Sequence, residues 1–255
     1  MKIVIIGTGN TATILGRKLK SAGHDIVQIY GRNPKAASDL AYELDTESTN
    51  NLAGVNRTAD IYLLAVSDIA VAEIVQELQL PDKTIVHTAA SVSKDVLKGA
   101  RYHGVFYPLQ SLKKEAANLP QIPIIIDAND QETLHVLENL ANSISDKVVT
   151  AGDNERMKLH LAAVFSNNFV NYLYVLAEEY CAKEGLDFRL LVPLIKETAD
   201  RIETIKPSES QTGPAMRHDA GTIQKHEELL KNYPQLKKFY SLFTESIWNQ
   251  KRELP

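Results

Sequence analysis

The 255-residue sequence has a single cysteine, Cys181. One thiol excludes an internal disulfide, and scarce cysteine is typical of proteins that work in a reducing compartment. The N-terminus also lacks a charged leader followed by a long apolar region, because Lys2 leads directly into a short apolar run. We therefore expect a cytoplasmic protein without a signal peptide.

A strong excess of charge is also missing. The formal net charge is −4, from 28 basic and 32 acidic side chains. This balance favours neither nucleic acid nor an anionic membrane as a partner. The stretch 159–177 is rich in Leu, Val, Phe, Tyr and Ala, but it contains His160 and three asparagines, which is typical of a buried helix rather than a bilayer span. The seven histidines lack metal-ligand spacing, so we expect no metal site.

Short apolar runs alternate with helical patterns through the first 151 residues. The runs predict strands at Lys2–Ile6, Asp25–Tyr30, Ile61–Val66, Thr84–His87, Gly104–Phe106, Pro123–Asp127 and Lys147–Thr150. The patterns between them predict helices at Thr11–Ala22, Pro34–Leu44, Ile69–Leu78, Lys94–Leu97 and Gln131–Asn142. Several runs lack a period of two, as strands covered on both faces do. The sequence thus predicts an α/β fold with a doubly wound, mostly parallel sheet of Rossmann type.

Strand signals stop after Gly152. Four helical segments are predicted at about Asn154–Glu184, Phe188–Ile205, Asp219–Lys231 and Gln235–Gln250. We predict a domain boundary near Ala151, with a dinucleotide-binding domain over residues 1–151 and an all-helical domain over residues 152–255.

The turn after the first strand carries two closely spaced glycines and a small residue, Ala12. In a dinucleotide-binding turn the first glycine permits the tight bend and the second lets the pyrophosphate approach the backbone. The following helix offers free N–H groups and the positive end of its dipole. The alternative is a tight turn that binds nothing. The residues expected to hold the pyrophosphate are Gly7, Gly9, Asn10 and Thr11.

The end of the second strand indicates which dinucleotide is bound. A site for NAD usually has a carboxylate there, which binds the ribose hydroxyls. This chain instead has Arg32 and Asn33. A guanidinium can bind a 2′-phosphate, so the sequence favours NADP. The alternative is that Arg32 is a solvated loop cation.

Polar residues follow three further strands, where ligands of open α/β sheets bind. We expect cofactor contacts from Ala65, Val66, Ser67 and Thr88, and substrate contacts from Ser91 and Gln110. The alternative for any single residue is ordinary loop polarity. His87, at the end of its strand, has the position of a structural hydrogen-bonding residue.

The long predicted helix after Gly152 has a polar stripe. At 100° per residue, His160, Val164, Asn167 and Asn168 share one face, whereas Lys158 lies about 160° from His160. Histidine can donate a proton near neutral pH, as reduction of a ketone or imine requires. His160 and Asn167 are therefore the candidate catalytic pair. The alternative is a hydrogen-bonded polar group in a dimer interface.

A second break, Thr212-Gly213-Pro214, precedes Arg217. A cation near a helix start gains nothing from the helix dipole. We expect Arg217 to bind a carboxylate or phosphate of substrate or cofactor, or to form an ion pair with a nearby acid.

Several motifs together resemble a bacterial family of Rossmann-like oxidoreductase homologues with a C-terminal dimerisation domain of unknown function. They are the glycine turn, His87-Thr88-Ala89-Ala90-Ser91, Tyr107-Pro108-Leu109-Gln110-Ser111, His160–Asn168 and Thr212–Asp219. The family often has histidine where this chain has Tyr107, and glycine where it has His218. More distantly, the layout is similar to pyrroline-5-carboxylate reductase, deazaflavin-dependent NADP oxidoreductases and β-hydroxyacid dehydrogenases. The resemblance implies a helical second domain that dimerises. The lysine–asparagine pair of the dehydrogenases is not reproduced, because Ala162 follows Lys158 by one turn.

These observations predict an NADP(H)-dependent oxidoreductase, a homodimer that acts on a small keto or imino acid-like compound. The cofactor would carry the hydride chemistry, and the protein would orient it and supply a proton. The alternative is an NADP(H)-binding sensor or regulatory dimer without turnover.

Overall fold

The first part of the chain folds around one eight-stranded sheet. The computed structural model describes residues 1–116 and 118–250, the last of these without its side chain. The strands are β1 Lys2–Ile6, β2 Asp25–Tyr30, β3 Glu47–Thr49, β4 Ile61–Leu64, β5 Thr84–His87, β6 Tyr102–Pro108, β7 Ile124–Ala128 and β8 Val148–Thr150. Their spatial order is β3-β2-β1-β4-β5-β6-β7-β8. Every neighbouring pair is parallel except β6 and β7, which run antiparallel. The expected doubly wound, mostly parallel sheet is confirmed.

Both faces of the sheet are buried, which explains the continuous apolar runs. Ile3 and Ile5 of β1 pack into one hydrophobic cluster, and Val4 and Ile6 pack into another on the opposite face. All four side chains are fully buried. Successive residues of a strand point to opposite faces, so a strand covered on both sides needs apolar residues at every position.

Four helices cover the faces: α1 Asn10–Ser21, α2 Pro34–Glu43, α3 Asp68–Leu78 and α4 Gln131–Asn142. A 3₁₀ turn at Lys94–Leu97 forms part of the β5–β6 connection. All five lie within two residues of their predicted positions. Strand β3 was not predicted, because its three residues are polar and none is buried.

Among the described residues after β8 the regular secondary structure is helical, including a 3₁₀ turn at Phe188–Leu191. The α-helices are α5 Asp153–Ala163, α6 Val170–Lys183, α7 Val192–Arg201, α8 Pro207–Ser210, α9 Ala220–Leu229 and α10 Pro234–Gln250. The chain forms two compact units, Met1–Asn168 and a second unit that begins at Phe169. Helix α5 therefore belongs to the unit that contains the sheet. The predicted functional domains, one for the dinucleotide over residues 1–151 and a helical one over residues 152–255, stay a prediction. Residues 251–255 lie outside the described residues.

The helical segment predicted at about Asn154–Glu184 is present over Asp153–Lys183, but it is not α-helical throughout. A π-helix, Val164–Phe169, separates α5 from α6. Its hydrogen bonds span five residues instead of four, so the turn is wider than in an α-helix and the 100° period does not hold across it. Single π turns inside α-helices are frequent at functional sites.

The structure accounts for one departure from the family pattern. His218 has φ +57°, in the left-handed region that favours glycine. Its ring meets the Trp248 ring edge-on, with 4.3 Å between centroids and an 89° interplanar angle. This contact offsets part of the backbone strain. Among the described residues, no helix is long and apolar enough to cross a membrane.

Candidate functional site

The glycine turn fits a dinucleotide because the backbone there leaves no room for a side chain. Gly7 has φ +130°, and a Cβ on it would lie 2.1 Å from the carbonyl oxygen of Ala65. Its backbone N–H donates to Tyr30 O at 2.8 Å, which ties the turn to the end of β2. A Cβ on Gly31 would lie 2.5 Å from Thr8 Cγ2. The turn is thus packed against both neighbouring strands, and only its outer side is open.

Helix α1 begins at this open side. Gly9 is its N-cap, and neither a side-chain cap nor an acidic residue in the first turn satisfies the helix N-terminus. The first N–H groups and the positive dipole end are therefore available to an anion. The basic residues of α1 in its last turn, Lys18 and Lys20, lie at the opposite end. This arrangement suits a pyrophosphate.

A cavity of about 440 Å³ opens in front of this turn, and we call it the nucleotide cavity. It is lined by nine of the ten residues predicted to contact the cofactor, namely Gly7, Gly9, Asn10, Thr11, Arg32, Asn33, Ala65, Val66 and Ser67. The Arg32 side chain is exposed and makes no hydrogen bond or ion pair with any residue in 1–116 or 118–250. Its guanidinium is therefore available to a ligand.

The tenth predicted cofactor contact, Thr88, and the predicted substrate contact Ser91 form hydrogen bonds to neighbouring elements instead. Thr88 is buried, and both its N–H and its hydroxyl donate to Leu64 O, at 3.1 and 3.4 Å. The Ser91 hydroxyl donates to the Asp68 carboxylate at the start of α3. Thr88 and Ser91 thus join the loop after β5 to β4 and α3, and neither lines the nucleotide cavity.

A buried arginine fixes the same loop from the other side. Arg156 is fully buried, and its Nε donates to Ala90 O at 3.1 Å. One Nη donates to Val92 O at 2.6 Å and to Asp153 Oδ1 at 2.8 Å. Burial opposes ionisation of Asp153, but hydrogen bonds from Ser93 and Arg156 outweigh it and lower the pKa of that carboxyl. The first turn of α5 is thereby attached to the loop after β5.

His87 lies beneath this loop as a structural residue. Its ring is fully buried, and Nδ1 accepts the backbone N–H of Ala89 at 3.2 Å. Burial, reinforced by the nearby charge of Arg156, lowers the pKa of His87 to about 4. The ring is therefore neutral at physiological pH and cannot serve as a proton donor there.

A second cavity, of about 490 Å³, lies between the residues that follow β6 and the helix after β8. We call it the α5 cavity. Its polar lining consists of Tyr107, Gln110, Ser111, His160, Ser166, Asn167 and Asn168. A third cavity, of about 580 Å³, lies at the far ends of α1 and α4 and contains none of the predicted site residues.

The α5 cavity brings together the predicted pair His160 and Asn167. Val164 was predicted on the same face, but it does not line the cavity. Lys158, predicted to point elsewhere, is exposed and does not line the cavity either. His160 and Asn167 both line the cavity, as predicted. The 100° period used to predict this does not hold between them, because the π-helix begins at Val164.

Tyr107 is the closest partner of His160. Its hydroxyl lies 2.9 Å from His160 Nδ1, and the two rings meet edge-on with 6.1 Å between centroids. Tyr107 is 9% exposed, and burial raises the pKa of its hydroxyl. Sequence reasoning noted Tyr107 only as a departure from the family pattern.

The remaining predicted substrate residues are in different places. Gln110 lines the α5 cavity, but its side chain already bonds within the loop, donating to Gln121 O at 3.2 Å and accepting from Ser111 N at 2.9 Å. Arg217 lies in the second unit, where its side chain is exposed and forms no ion pair with any acid among the described residues. It lies in a turn just before Asp219, the N-cap of α9.

Arg156 was missed entirely. The signal that could have revealed it is the spacing Asp153-x-x-Arg156 at a helix start, which places an acid and a base on one face. That spacing is common on exposed helices, so it does not by itself indicate a buried clamp. No group of three or more potential metal ligands occurs within 1–116 and 118–250.

Two family models match consecutive parts of the chain. Residues 2–91 match the family described as "NADP oxidoreductase coenzyme F420-dependent". Residues 122–247 match a domain of unknown function, DUF2520. The search of curated proteins finds no match.

Solved structures resemble the chain over nearly its whole length. The structure named "putative NADP oxidoreductase BF3122", from Bacteroides fragilis, is 38% identical, with a TM-score of 0.90, and the match covers 97% of this chain and 98% of that one. A 1-pyrroline-5-carboxylate reductase from Streptococcus pyogenes is 17% identical, with a TM-score of 0.69 and coverage of 100% and 99%. A reductive aminase from Aspergillus terreus, solved with NADPH and ethyl-5-oxohexanoate, is 14% identical, with a TM-score of 0.70 and coverage of 99% and 94%. The latter two show a shared fold.

The buried His87 makes the stability of the protein sensitive to acid. The pKa of His87 is about 4 in the folded state and 6.5 as an unperturbed group, so below pH 6.5 the unfolded state binds more protons. Stability therefore falls as the pH drops from 6.5 towards 4, and we expect a loss of about 2 kcal/mol at pH 5 from this residue. Urea unfolding at pH 7.5 and pH 5 gives the difference in the free energy of unfolding between the two pH values. In His87→Asn this difference should be smaller than in the wild type by about 2 kcal/mol. The matched control is His135→Asn, at an exposed position on α4, which should keep the wild-type difference. An unchanged difference in His87→Asn would contradict the assignment.

Proposed function

This chain belongs to the NADP oxidoreductase family represented by the Bacteroides fragilis protein, and we propose that it is an NADP(H)-dependent reductase of a small keto or imino compound. The observation that carries the proposal is that the nucleotide cavity and the α5 cavity both adjoin the carboxyl ends of sheet strands. That edge is where ligands of open α/β sheets bind.

The nucleotide cavity would hold the adenosine and pyrophosphate part of the cofactor. The open side of Gly7–Gly9 and the first turn of α1 would receive the pyrophosphate, and Arg32 would meet a 2′-phosphate. Strand β1 is separated from β6 by three strand spacings, or about 14 Å. An extended dinucleotide can bridge that distance, with Thr88 and Ser91 along its path and its nicotinamide end near the α5 cavity.

The bound cofactor would supply the hydride. The protein would position the substrate carbon and give a proton to its oxygen or nitrogen. We assign proton donation to His160, with Asn167 as its hydrogen-bonding companion against the substrate. Ser91, Gln110 and Arg217 are proposed substrate contacts. Relatives named as a pyrroline-carboxylate reductase and a reductive aminase support a C=N or C=O group as the reacting bond.

We further propose a cytoplasmic homodimer, with the helical segment 159–177 at its centre. Met157, just before this segment, and Leu161 within it lie one turn apart on α5 and are 48% and 57% exposed, and Phe165 follows in the π-helix at 61%. Exposed apolar stripes of this kind usually mark an interaction surface, and a second copy of the chain would cover them.

The choice of cofactor can be tested by titration with NADPH and NADH. A charge-assisted hydrogen bond is worth about 1.5–3 kcal/mol, so NADPH should bind about ten- to a hundredfold more tightly than NADH. Arg32→Ala should remove most of this difference. The control is Lys35→Ala, because Lys35 is an exposed cation nearby that pairs with Asp39 at 2.7 Å. Equal affinities in the unmodified protein would refute the preference for NADP.

Turnover can be tested by following NADPH oxidation with neutral ketones, 2-keto acids and cyclic imines with and without a carboxylate. We expect at least one class to be reduced. His160→Ala should lower kcat strongly while the affinity for NADPH stays close to that of the wild type, because the residue lies outside the nucleotide cavity. Tight NADPH binding without reduction of any compound would favour the sensor alternative.

Assembly can be tested by sedimentation at micromolar concentration. The wild type should sediment as a dimer, and Leu161→Glu should shift it towards monomer by placing a charge in the apolar interface. Tyr42→Glu is a suitable control, since Tyr42 is 89% exposed on α2 and has no place in the proposed interface. A wild-type monomer would overturn the proposal.

A further inference from the structure

The two ring nitrogens of His160 have different surroundings. Nδ1 lies 2.9 Å from the Tyr107 hydroxyl. For Nε2, the structure gives no hydrogen-bond partner within 1–116 and 118–250, and the residue lines the α5 cavity. A phenol can both donate and accept a hydrogen bond, so it can engage Nδ1 whether that nitrogen carries a proton or not. In either case Nε2 is the nitrogen left for a ligand.

Tyr107 itself is held rigidly. It is part of β6, where it pairs with Ile125 of β7, and its ring belongs to a buried cluster that includes Ala90 and Val105. Leu159, the residue before His160, packs against the same cluster. The phenol and the imidazole are therefore both mounted on packed elements, which is what a fixed proton-transfer geometry requires.

We propose that Tyr107 is a positioning residue, whose hydroxyl holds Nδ1 of His160 so that Nε2 faces the cavity and donates the proton to the substrate. Among the described residues, the Tyr107 hydroxyl has no other hydrogen-bond partner. In the neutral ring it therefore donates to Nδ1 and favours the tautomer with the proton on Nε2. When the ring is protonated, the same oxygen accepts the Nδ1–H.

The proton balance of the reduction then closes. The hydride supplied by NADPH adds to the substrate carbon, and the electron pair of its double bond moves to the oxygen or nitrogen. That atom takes the Nε2 proton of the imidazolium. The ring is left neutral, with its remaining proton on Nδ1, from which it is donated to the Tyr107 oxygen. A proton from bulk solvent returns to Nε2 after the product leaves. Burial, which raises the pKa of Tyr107, keeps the phenol from losing its own proton.

This inference rests on the proposed function, and Tyr107→Phe separates the two. Phenylalanine keeps the packed ring and removes only the hydroxyl. Long-range ¹H–¹⁵N spectra of the imidazoles, recorded without cofactor, report the tautomer of each neutral histidine, and His160→Gln identifies the His160 signals by their loss. We expect the wild type to show Nε2 protonated and Nδ1 unprotonated. Tyr107→Phe should show a mixture of the two tautomers.

In turnover, Tyr107→Phe should lower kcat by about tenfold or more, with an unchanged affinity for NADPH. Tyr102→Phe is the matched control, because it removes a phenol from the same strand away from His160, and it should alter neither measurement. A wild-type tautomer or a wild-type kcat in Tyr107→Phe would overturn the positioning role. If the wild type reduces no compound, the proposed function and the proton donation fail together. If the wild type reduces a compound and Tyr107→Phe keeps the wild-type tautomer, only the positioning role fails.

Discussion

The buried guanidinium of Arg156 is the interaction on which the arrangement of the α5 cavity depends. It holds two carbonyl oxygens of the loop after β5 and the carboxylate of Asp153 at the start of α5. One side chain thus fixes a loop and a helix relative to each other. His160 lies one helical turn further along, so its distance from Tyr107 is set by the same attachment.

The sheet could be predicted from the sequence because each strand is marked by a run of apolar residues within its own few positions. Apolar runs such as Lys2–Ile6, Asp25–Tyr30 and Thr84–His87 have the bounds of the strands they form. The edge strand Glu47–Thr49 was missed because an exposed three-residue strand carries no apolar pattern. The π turn at Val164–Phe169 was missed for a related reason, since no residue type signals a single wider turn.

The two cavities also differ in how far they could be predicted from the sequence. The nucleotide cavity could be predicted from a short motif. A glycine directly after a strand indicates a turn without room for a side chain, and Gly7 forms such a turn. The Tyr107–His160 contact joins residues 53 positions apart, and the Arg156 contacts with Ala90 and Val92 span 66 and 64. Such pairs depend on how a helix packs against a sheet, which single-sequence periodicity does not encode. Patterns therefore located His160 but not the phenol beside it.

The reversed strand β7 has a consequence for the direction of α5. Had β7 and β8 run parallel to the rest of the sheet, a helix after β8 would start at the ligand-binding edge and lead away from it. Because both run the other way, the chain leaves β8 heading away from the ligand-binding edge, and helix α5 then passes the loop after β5 and ends beside the residues that follow β6. The reversed direction of β7 and β8 thus places the C-terminal residues of α5, rather than its N-terminus, at the ligand-binding edge.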